Sequence, residues 1–457
     1  MMCSIGIDIG TSTVCGVLVD SQGNSIKTLT KTNDSNVYSE VGWERLQDPE
    51  RIVGIVLNLI KELSAASSEV KSIGLSGQMH GILYVDRSGK AVSPLYTWQD
   101  RRGTLEYKPG VSFSSWLFRE SGYSLSSGFG LVTHYFNLIN GLVPKQAWKI
   151  CTIMDYVIMR MCHKSEPKIE SSNAASLGFF DCRQRKFDII SLSKVGIEVD
   201  ILPDVVPSSS VCGYFQSKIP VTVAIGDNQA SFMGAVQNYE ESVLITIGTS
   251  SQISIYTDDF ELVNGLDTRP FPTRGNILVG AALCGGRTFA LLNEFYKTTV
   301  KLFTGVSVSD ERIFEIMNSV PYSPPSGSDI LVCTSFDGTR IDPDKKGSIE
   351  NISSCNFNPE NFIAGFVRGV CQELFDFYMA VPEYLRRDKK ILVGSGNALR
   401  KNKLLRNILE EKFKLKLNVS TCSEESAMGA CINGMRGSGL IQDSENVDAK
   451  QNVSSLL

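Results

Sequence analysis

Apolar and polar residues alternate from Ser4 to Val19, with one interruption at Gly10-Thr11-Ser12, a pattern that predicts two strands joined by a tight turn. It returns between Ser242 and Tyr256, around Gly248-Thr249-Ser250. Shorter strand patterns occur at Ser72 to Ser76, Gly81 to Val85, Pro220 to Ile225 and Lys390 to Val393. Apolar residues recur at helical spacing over Pro49 to Ala65, Tyr135 to Asn140, Asp155 to Cys162, Thr288 to Lys301 and Asn361 to Met379. Strands alternating with helices predict an α/β layered structure.

The two hairpins share their spelling. Ile7 to Ser12 read IDIGTS and Ile245 to Ser250 read ITIGTS, with Gly248 lying 248 − 10 = 238 positions beyond Gly10. A repeat at about half the chain length predicts two related halves. Each Gly-Thr-Ser suits an ordinary hairpin turn, but its duplication points to a pair of phosphate clasps. Glycine lets the backbone approach an anion, successive N–H groups converge on phosphate oxygens, and hydroxyls add donors. Gly10, Thr11, Ser12, Gly248, Thr249 and Ser250 are therefore candidate ATP-binding residues. The expected division is an N-terminal lobe over 1–228, a hinge over 229–241, a C-terminal lobe over 242–442 and a polar tail over 443–457.

Composition narrows the partners. The 457 residues are 42% hydrophobic and 21% charged, with a formal charge of −4, which fits a globular protein of two or three domains. No sustained Lys/Arg cluster suggests nucleic acid or an anionic membrane, and no run of 18 apolar residues suggests a membrane span. Small-molecule partners and a cytoplasmic location are expected, with a homodimer allowed. The 12 cysteines show no CxxC spacing, so reduced thiols are expected rather than a zinc site. Gly89-Lys90 lacks the first glycine and the Ser/Thr of a P-loop, having Tyr84 and Ala91 there. Gly394-Ser395-Gly396 lacks the third glycine of a dinucleotide fingerprint, having Leu399.

The duplicated unit differs at one charged position: Asp8 in the first copy is Thr246 in the second. Asp8 suits a Mg²⁺ partner, because Mg²⁺ binds nucleotide phosphates while touching one or two carboxylates. An Asp there also suits capping of its own turn. Asp227 ends an apolar strand where the chain crosses between halves, the place for a catalytic base or a helix N-cap. Ser76 to Gly81 (SGQMHG), Tyr96 to Arg102 (YTWQDRR) and Ser127 to Gly130 (SGFG) combine hydrogen-bonding groups with aromatic planes, as polyol recognition requires.

These segments, in this order, resemble the FGGY family of carbohydrate kinases from Ile5 to about Gly434. The matching residues are the Asp8 clasp, Gly77 to His80, Trp98 to Asp100, Asp155-Tyr156, Gly226-Asp227, the Gly248 clasp, Gly394 to Gly396 and Glu424 to Gly429. The resemblance implies a duplicated ribonuclease H-like, actin-type ATPase fold with an interlobe cleft. It implies ATP and Mg²⁺ as cofactors, Asp227 as catalytic base and Asp8 as the metal-linked carboxylate. Gln78, Met79, His80, Trp98, Asp100, Phe129, Asp227 and Asn228 would face the sugar. Gly285, Gly286, Gly394, Ser395, Gly396, Asn397 and Asn402 would join the two clasps in holding ATP. Trp-Gln-Asp, Gly128 to Gly130 and Asn173 to Phe180 are most similar to the sedoheptulokinase branch, whereas Asn228 is the spelling usual among xylulokinases. A non-catalytic sugar sensor or scaffold on the same fold is the rival class.

Overall fold

The computed structural model describes residues 2–67, 69–339, 342, 344–442 and 453–454. The chain divides into two compact units. The first comprises Met1–Gln237, Arg269–Gly275 and Glu424–Lys450; the second comprises Asn238–Thr268, Asn276–Ser423 and Gln451–Leu457.

The first unit is built on a sheet in which Met2–Ile9 pairs antiparallel with Thr13–Asp20 and parallel with Glu69–Gly77. Ser25–Thr32 extends one edge and Ile219–Thr222 the other. The alternation of the first strand explains its two faces. Ile5, Ile7 and Ile9, with Ile73 and Leu75, are buried in one core with Ile52, Val56, Leu59 and Leu63 of helix Pro49–Ser64. That helix starts where expected: Asp48 caps it by accepting from the Glu50 and Arg51 amides, and Pro49 occupies its first turn. The other face carries Ser4, Gly6 and Asp8 beside Ser72, Gly74 and Ser76. Those small residues admit helix Glu425–Gly437 against the sheet, its backbone at Ala427 and Ala430 lying where a Cβ on Gly6 or Gly74 would stand.

The second unit repeats the scheme. Ser242–Ile247 pairs antiparallel with Ser251–Thr257 and parallel with Ile391–Ser395, with Asn276–Ala282 and Lys416–Ser420 outside them. The core includes Val243, Ile245, Ile247, Ile253 and Ile255, together with Val367, Cys371 and Leu374 of helix Pro359–Ala380.

Two segments lie elsewhere than the single-hinge division expects. Residues 229–235 belong to helix Asp227–Ala235, and helix Glu425–Gly437, assigned to the C-terminal lobe from sequence, packs in the first unit. Its small side chains explain the choice, since only a helix with little bulk can lie on the Gly6–Gly74 face. The polar tail over 443–457 lies outside the described residues except Val453–Ser454, which pair with Val419 and Ser420. Among the described residues no helix is long and apolar enough to cross a membrane, and the cysteines are free thiols.

Candidate active site

The first clasp lies between strands Met2–Ile9 and Thr13–Asp20, and each of its carbonyls is engaged within the first unit. Asn33 donates from its amide to Ser12 O and from Nδ2 to Gly10 O, both at 2.8 Å, and Gln47 Nε2 donates to Thr11 O at 2.9 Å. The second clasp is engaged likewise within the second unit. The Gly286 amide donates to Gly248 O at 2.7 Å, the Gly285 and Arg287 amides donate to Thr249 O, and Gly248 N donates to Ser250 O. With their carbonyls engaged, the turns present N–H groups and hydroxyls, the surface an anion requires, although the Thr11 hydroxyl donates to Gln78 Oε1 and the Gly10 and Gly248 amides to carbonyls of their own turns.

Asp8 and Asp227 come together in the first unit, as the sequence anticipates. Asp8 ends its strand opposite Ser76, whose Oγ donates to Asp8 Oδ1 at 2.8 Å. Asp227 begins helix Asp227–Ala235 directly after Ile225-Gly226, which pairs with Ser76-Gly77. Burial pushes the Asp8 carboxyl up to about 7, the charges of Asp227 and Glu424 push the same way, and the Ser76 hydrogen bond opposes them. Burial raises Asp227 to about 6, while the Asn228 amide and the Arg269 guanidinium pull it back.

These shifts have a thermodynamic consequence. An Asp whose folded-state pKa lies above its unfolded value destabilises the fold as pH rises, here from about pH 4 through 6 to 7. At pH 7.5, without Mg²⁺ or nucleotide, Asp8→Asn is therefore expected to raise the melting temperature by roughly 2–4 °C, and Asp227→Asn to act in the same direction. Thermal melts followed by circular dichroism check this; a lowered melting temperature for both variants contradicts the charge burden.

The candidate acceptor residues gather nearby in the same unit. Met79 is buried, its Sδ and Cε standing where a Cβ on Gly226 would be. His80 adopts left-handed backbone (φ 75°) and stacks on Phe129 with ring centroids 4.4 Å apart. It is held there by Ser176, whose Oγ accepts from the His80 amide and whose carbonyl accepts from Nδ1 at 2.8 Å. A carbonyl only accepts, so Nδ1 carries a proton. Trp98 is 48% exposed, its indole N–H donating to Thr11 Oγ1 at 2.9 Å. The Ser127 to Gly130 loop packs against it, a Cβ on Gly128 falling 1.8 Å from Trp98 O. Asn228 Oδ1, Gln229 Oε1 and Asn173 Oδ1 are buried acceptors with no hydrogen-bond partner.

Asp100 departs from the sequence expectation of a sugar-facing carboxylate. It is fully buried, and both of its oxygens bind Arg102, from Nε at 2.7 Å and from NH2 at 3.0 Å, with the Arg45 amide on Oδ2. Arg102 is itself 1% exposed, with its guanidinium 4.2 Å from the Tyr96 ring centroid and further contacts to Trp43 and Phe136. A buried cation requires such partners, so the pair anchors the Trp98 loop rather than presenting a ligand.

In the second unit a cavity of about 440 Å³ is lined by Gly285, Gly286, Asn397 and Asn402 among the expected ATP residues. Phe289 and Phe314, stacked 6.0 Å apart, line it with Val367, Val370 and Leu405. Apolar walls beside a clasp suit a nucleobase. Gly248 to Ser250 and Gly394 to Gly396 do not line it. Asn402 Oδ1 caps helix Lys403–Phe413 through the Leu405 amide at 2.9 Å. Sequence reasoning did not single out Ser76, Ser426, Arg269, Phe289 or Phe314. The two serines lay in quoted motifs, but nothing in the spelling marks which residue of a motif touches a carboxylate.

The model of the FGGY family of carbohydrate kinases, N-terminal domain, matches residues 3–234. The sedoheptulokinases of Mus musculus and Homo sapiens are each 26% identical, over 90% and 95% of this chain and 92% and 97% of theirs. The ligand-bound xylulose kinase of Lactobacillus acidophilus superposes with a TM-score of 0.83 at 18% identity, over 99% of this chain and 93% of that one. The Plasmodium falciparum glycerol kinase with ADP does so with a TM-score of 0.77 at 17% identity, over 97% and 91%. These structural likenesses concern the fold, which is that of the sugar kinases.

Proposed function

Because the chain belongs to the FGGY family of carbohydrate kinases and is thus an ATP-dependent sugar kinase, we propose that its acceptor is sedoheptulose and its product sedoheptulose 7-phosphate. The observation that carries the acceptor is the near full-length similarity to two sedoheptulokinases. The site's chemistry supports a polyol. The unpartnered oxygens of Asn173, Asn228 and Gln229 are acceptors for hydroxyl donors, and Trp98 and the His80–Phe129 stack supply apolar faces.

In this reading Asp227 accepts the proton of the terminal hydroxyl as that oxygen bonds to the γ-phosphorus and ADP leaves. The Phe289–Phe314 cavity receives the base, and the donor-rich clasps receive phosphate oxygens. Burial first, and then the charges of Asp227 and Glu424, lift the Asp8 carboxyl to about 7, and a divalent cation beside it would offset that negative charge. Asp8 would hold Mg²⁺, which when bound neutralises charge on the phosphates.

Initial rates with sedoheptulose, xylulose, ribulose, fuculose and glycerol at fixed MgATP test the acceptor. Sedoheptulose is expected to give the highest kcat/KM by about tenfold or more. A higher value for xylulose assigns the chain to the alternative that Asn228 favours, and no sugar-dependent ADP release refutes the transfer itself.

A further inference from the structure

We propose that Thr11 and Gln47 are positioning residues for the acceptor sugar, acting through a closed ring of hydrogen bonds that sets the orientation of Gln78 and Trp98. The inference rests on reading Trp98 and Gln78 as acceptor-sugar residues, and it moves the Thr11 hydroxyl from nucleotide binding to sugar recognition.

The ring follows from one donor. An indole N–H can only donate, so at 2.9 Å from Trp98 Nε1 the Thr11 hydroxyl is the acceptor. Its own hydrogen then goes to Gln78 Oε1 at 3.2 Å. This fixes the Gln78 amide, whose Nε2 donates to Gln47 Oε1 at 2.8 Å. Gln47 Nε2 is left to donate, and it meets Thr11 O at 2.9 Å and Asn36 Oδ1 at 3.2 Å. The circuit thus leaves Thr11 by its hydroxyl and returns to its carbonyl, with every donor meeting an acceptor. Gln47 is fully buried and Gln78 is 4% exposed, so neither amide turns without losing a partner in a site where water replaces it poorly. Trp98, by contrast, is half exposed. Its indole hydrogen bond to Thr11 is what holds the ring plane, and a sugar platform needs a fixed plane.

The experiment uses the full chain, MgATP and sedoheptulose, or the ketose with the highest kcat/KM in the panel. Thr11→Val keeps the shape of Thr11 and removes its hydroxyl. It is expected to raise the sugar KM roughly tenfold and to leave the ATP KM within about twofold. Thr11→Ser should restore the wild-type value. Trp98→Phe, which removes the N–H together with the five-membered part of the indole, should reproduce the sugar effect, and combining it with Thr11→Val should add little, because both break the Trp98–Thr11 bond. A Thr11→Val variant whose ATP KM rises while its sugar KM is unchanged overturns the proposal, as does one with both constants unchanged. Should Thr11→Val not fold, an unaltered sugar KM in Trp98→Phe overturns it alone. Trp98→Ala separates this from the premise: an unchanged sugar KM there refutes the sugar platform, whereas a raised one beside a silent Thr11→Val refutes only the ring.

Discussion

Asp227→Asn is expected to lower kcat about a thousandfold while leaving the KM values for sugar and MgATP within about threefold, the range lost when a positioned general base is removed. Position and acidity both argue for it. Asp227 heads a helix, where the helix dipole alone would lower its pKa by a few tenths of a unit. Burial nonetheless raises the carboxyl from 3.8 to about 6, so desolvation outweighs the dipole. A base of pKa about 6 is ionised at pH 7.5 and still basic enough to take a hydroxyl proton as the phosphoryl group transfers. The wild-type kcat/KM should therefore level off above about 7 and fall more steeply below about 6, as protonation removes first the Asp8 carboxylate and then the base. In Asp227→Asn the residual activity should lose the steeper limb below 6 and keep the one near 7 that belongs to Asp8. Steady-state rates from pH 5 to 8.5 check both parts. A kcat within tenfold of wild type, or a steep limb below 6 that persists in the variant, removes Asp227 from the role.

The strands, the duplicated clasps and the two carboxylates were legible because each rests on local pattern. Alternation gave the strands around Gly10 and Gly248, and the single charged difference between the copies marked Asp8. A second repeat was not legible. Asp8 pairs with Ser76 in the parallel neighbour, and Thr246 pairs with Ser395, so Ser76-Gly77 and Ser395-Gly396 are structural counterparts. A Cβ on Gly77 would fall 2.6 Å from Ile9 O and one on Gly396 2.4 Å from Ile247 O, the same approach in both units. The spacing hides this, since 395 − 76 = 319 rather than 238, and the long segment between Gly77 and Ile219 has no counterpart of equal length in the second unit's strand order. Asp100 was misread for a related reason. Its place beside Trp98 is local, but its partner Arg102 and the aromatic cage around that guanidinium are tertiary facts. The return of helix Glu425–Gly437 to the first unit was hidden too, because small residues at helical spacing do not say which sheet they will lie on.

That helix is the basis of the largest expected effect on stability. Gly429→Ala and Gly74→Ala are each expected to destabilise the protein by more than about 3 kcal/mol, beyond the usual range for overpacked side chains. A Cβ on Gly429 would lie 1.9 Å from Ala230 O, and one on Gly74 1.8 Å from Ala430 O. Both clashes are with backbone, which cannot rotate away. At position 429 the expected sign opposes helix propensity, which favours Ala over Gly by about 1 kcal/mol in a helix interior; the clash wins because helix Asp227–Ala235 and helix Glu425–Gly437 cross backbone on backbone. Gly54, in helix Pro49–Ser64, provides the internal control. Nothing lies within 4 Å of its added Cβ, so Gly54→Ala should stabilise by roughly 0.5–1 kcal/mol and raise the melting temperature by about 2 °C. The clash also reaches the chemistry. Ser426, in the first turn of the displaced helix, donates from Oγ to Asp227 O, and its carbonyl accepts from Ser76 Oγ, the hydroxyl that binds Asp8. Moving the helix therefore moves both carboxylates, and kcat should fall in whatever fraction of Gly429→Ala remains folded. Urea and thermal melts of the three variants, with kcat measured on the folded material, decide it: Gly429→Ala melting within 1 °C of wild type would show that the crossing has slack and that the two carboxylates do not depend on it.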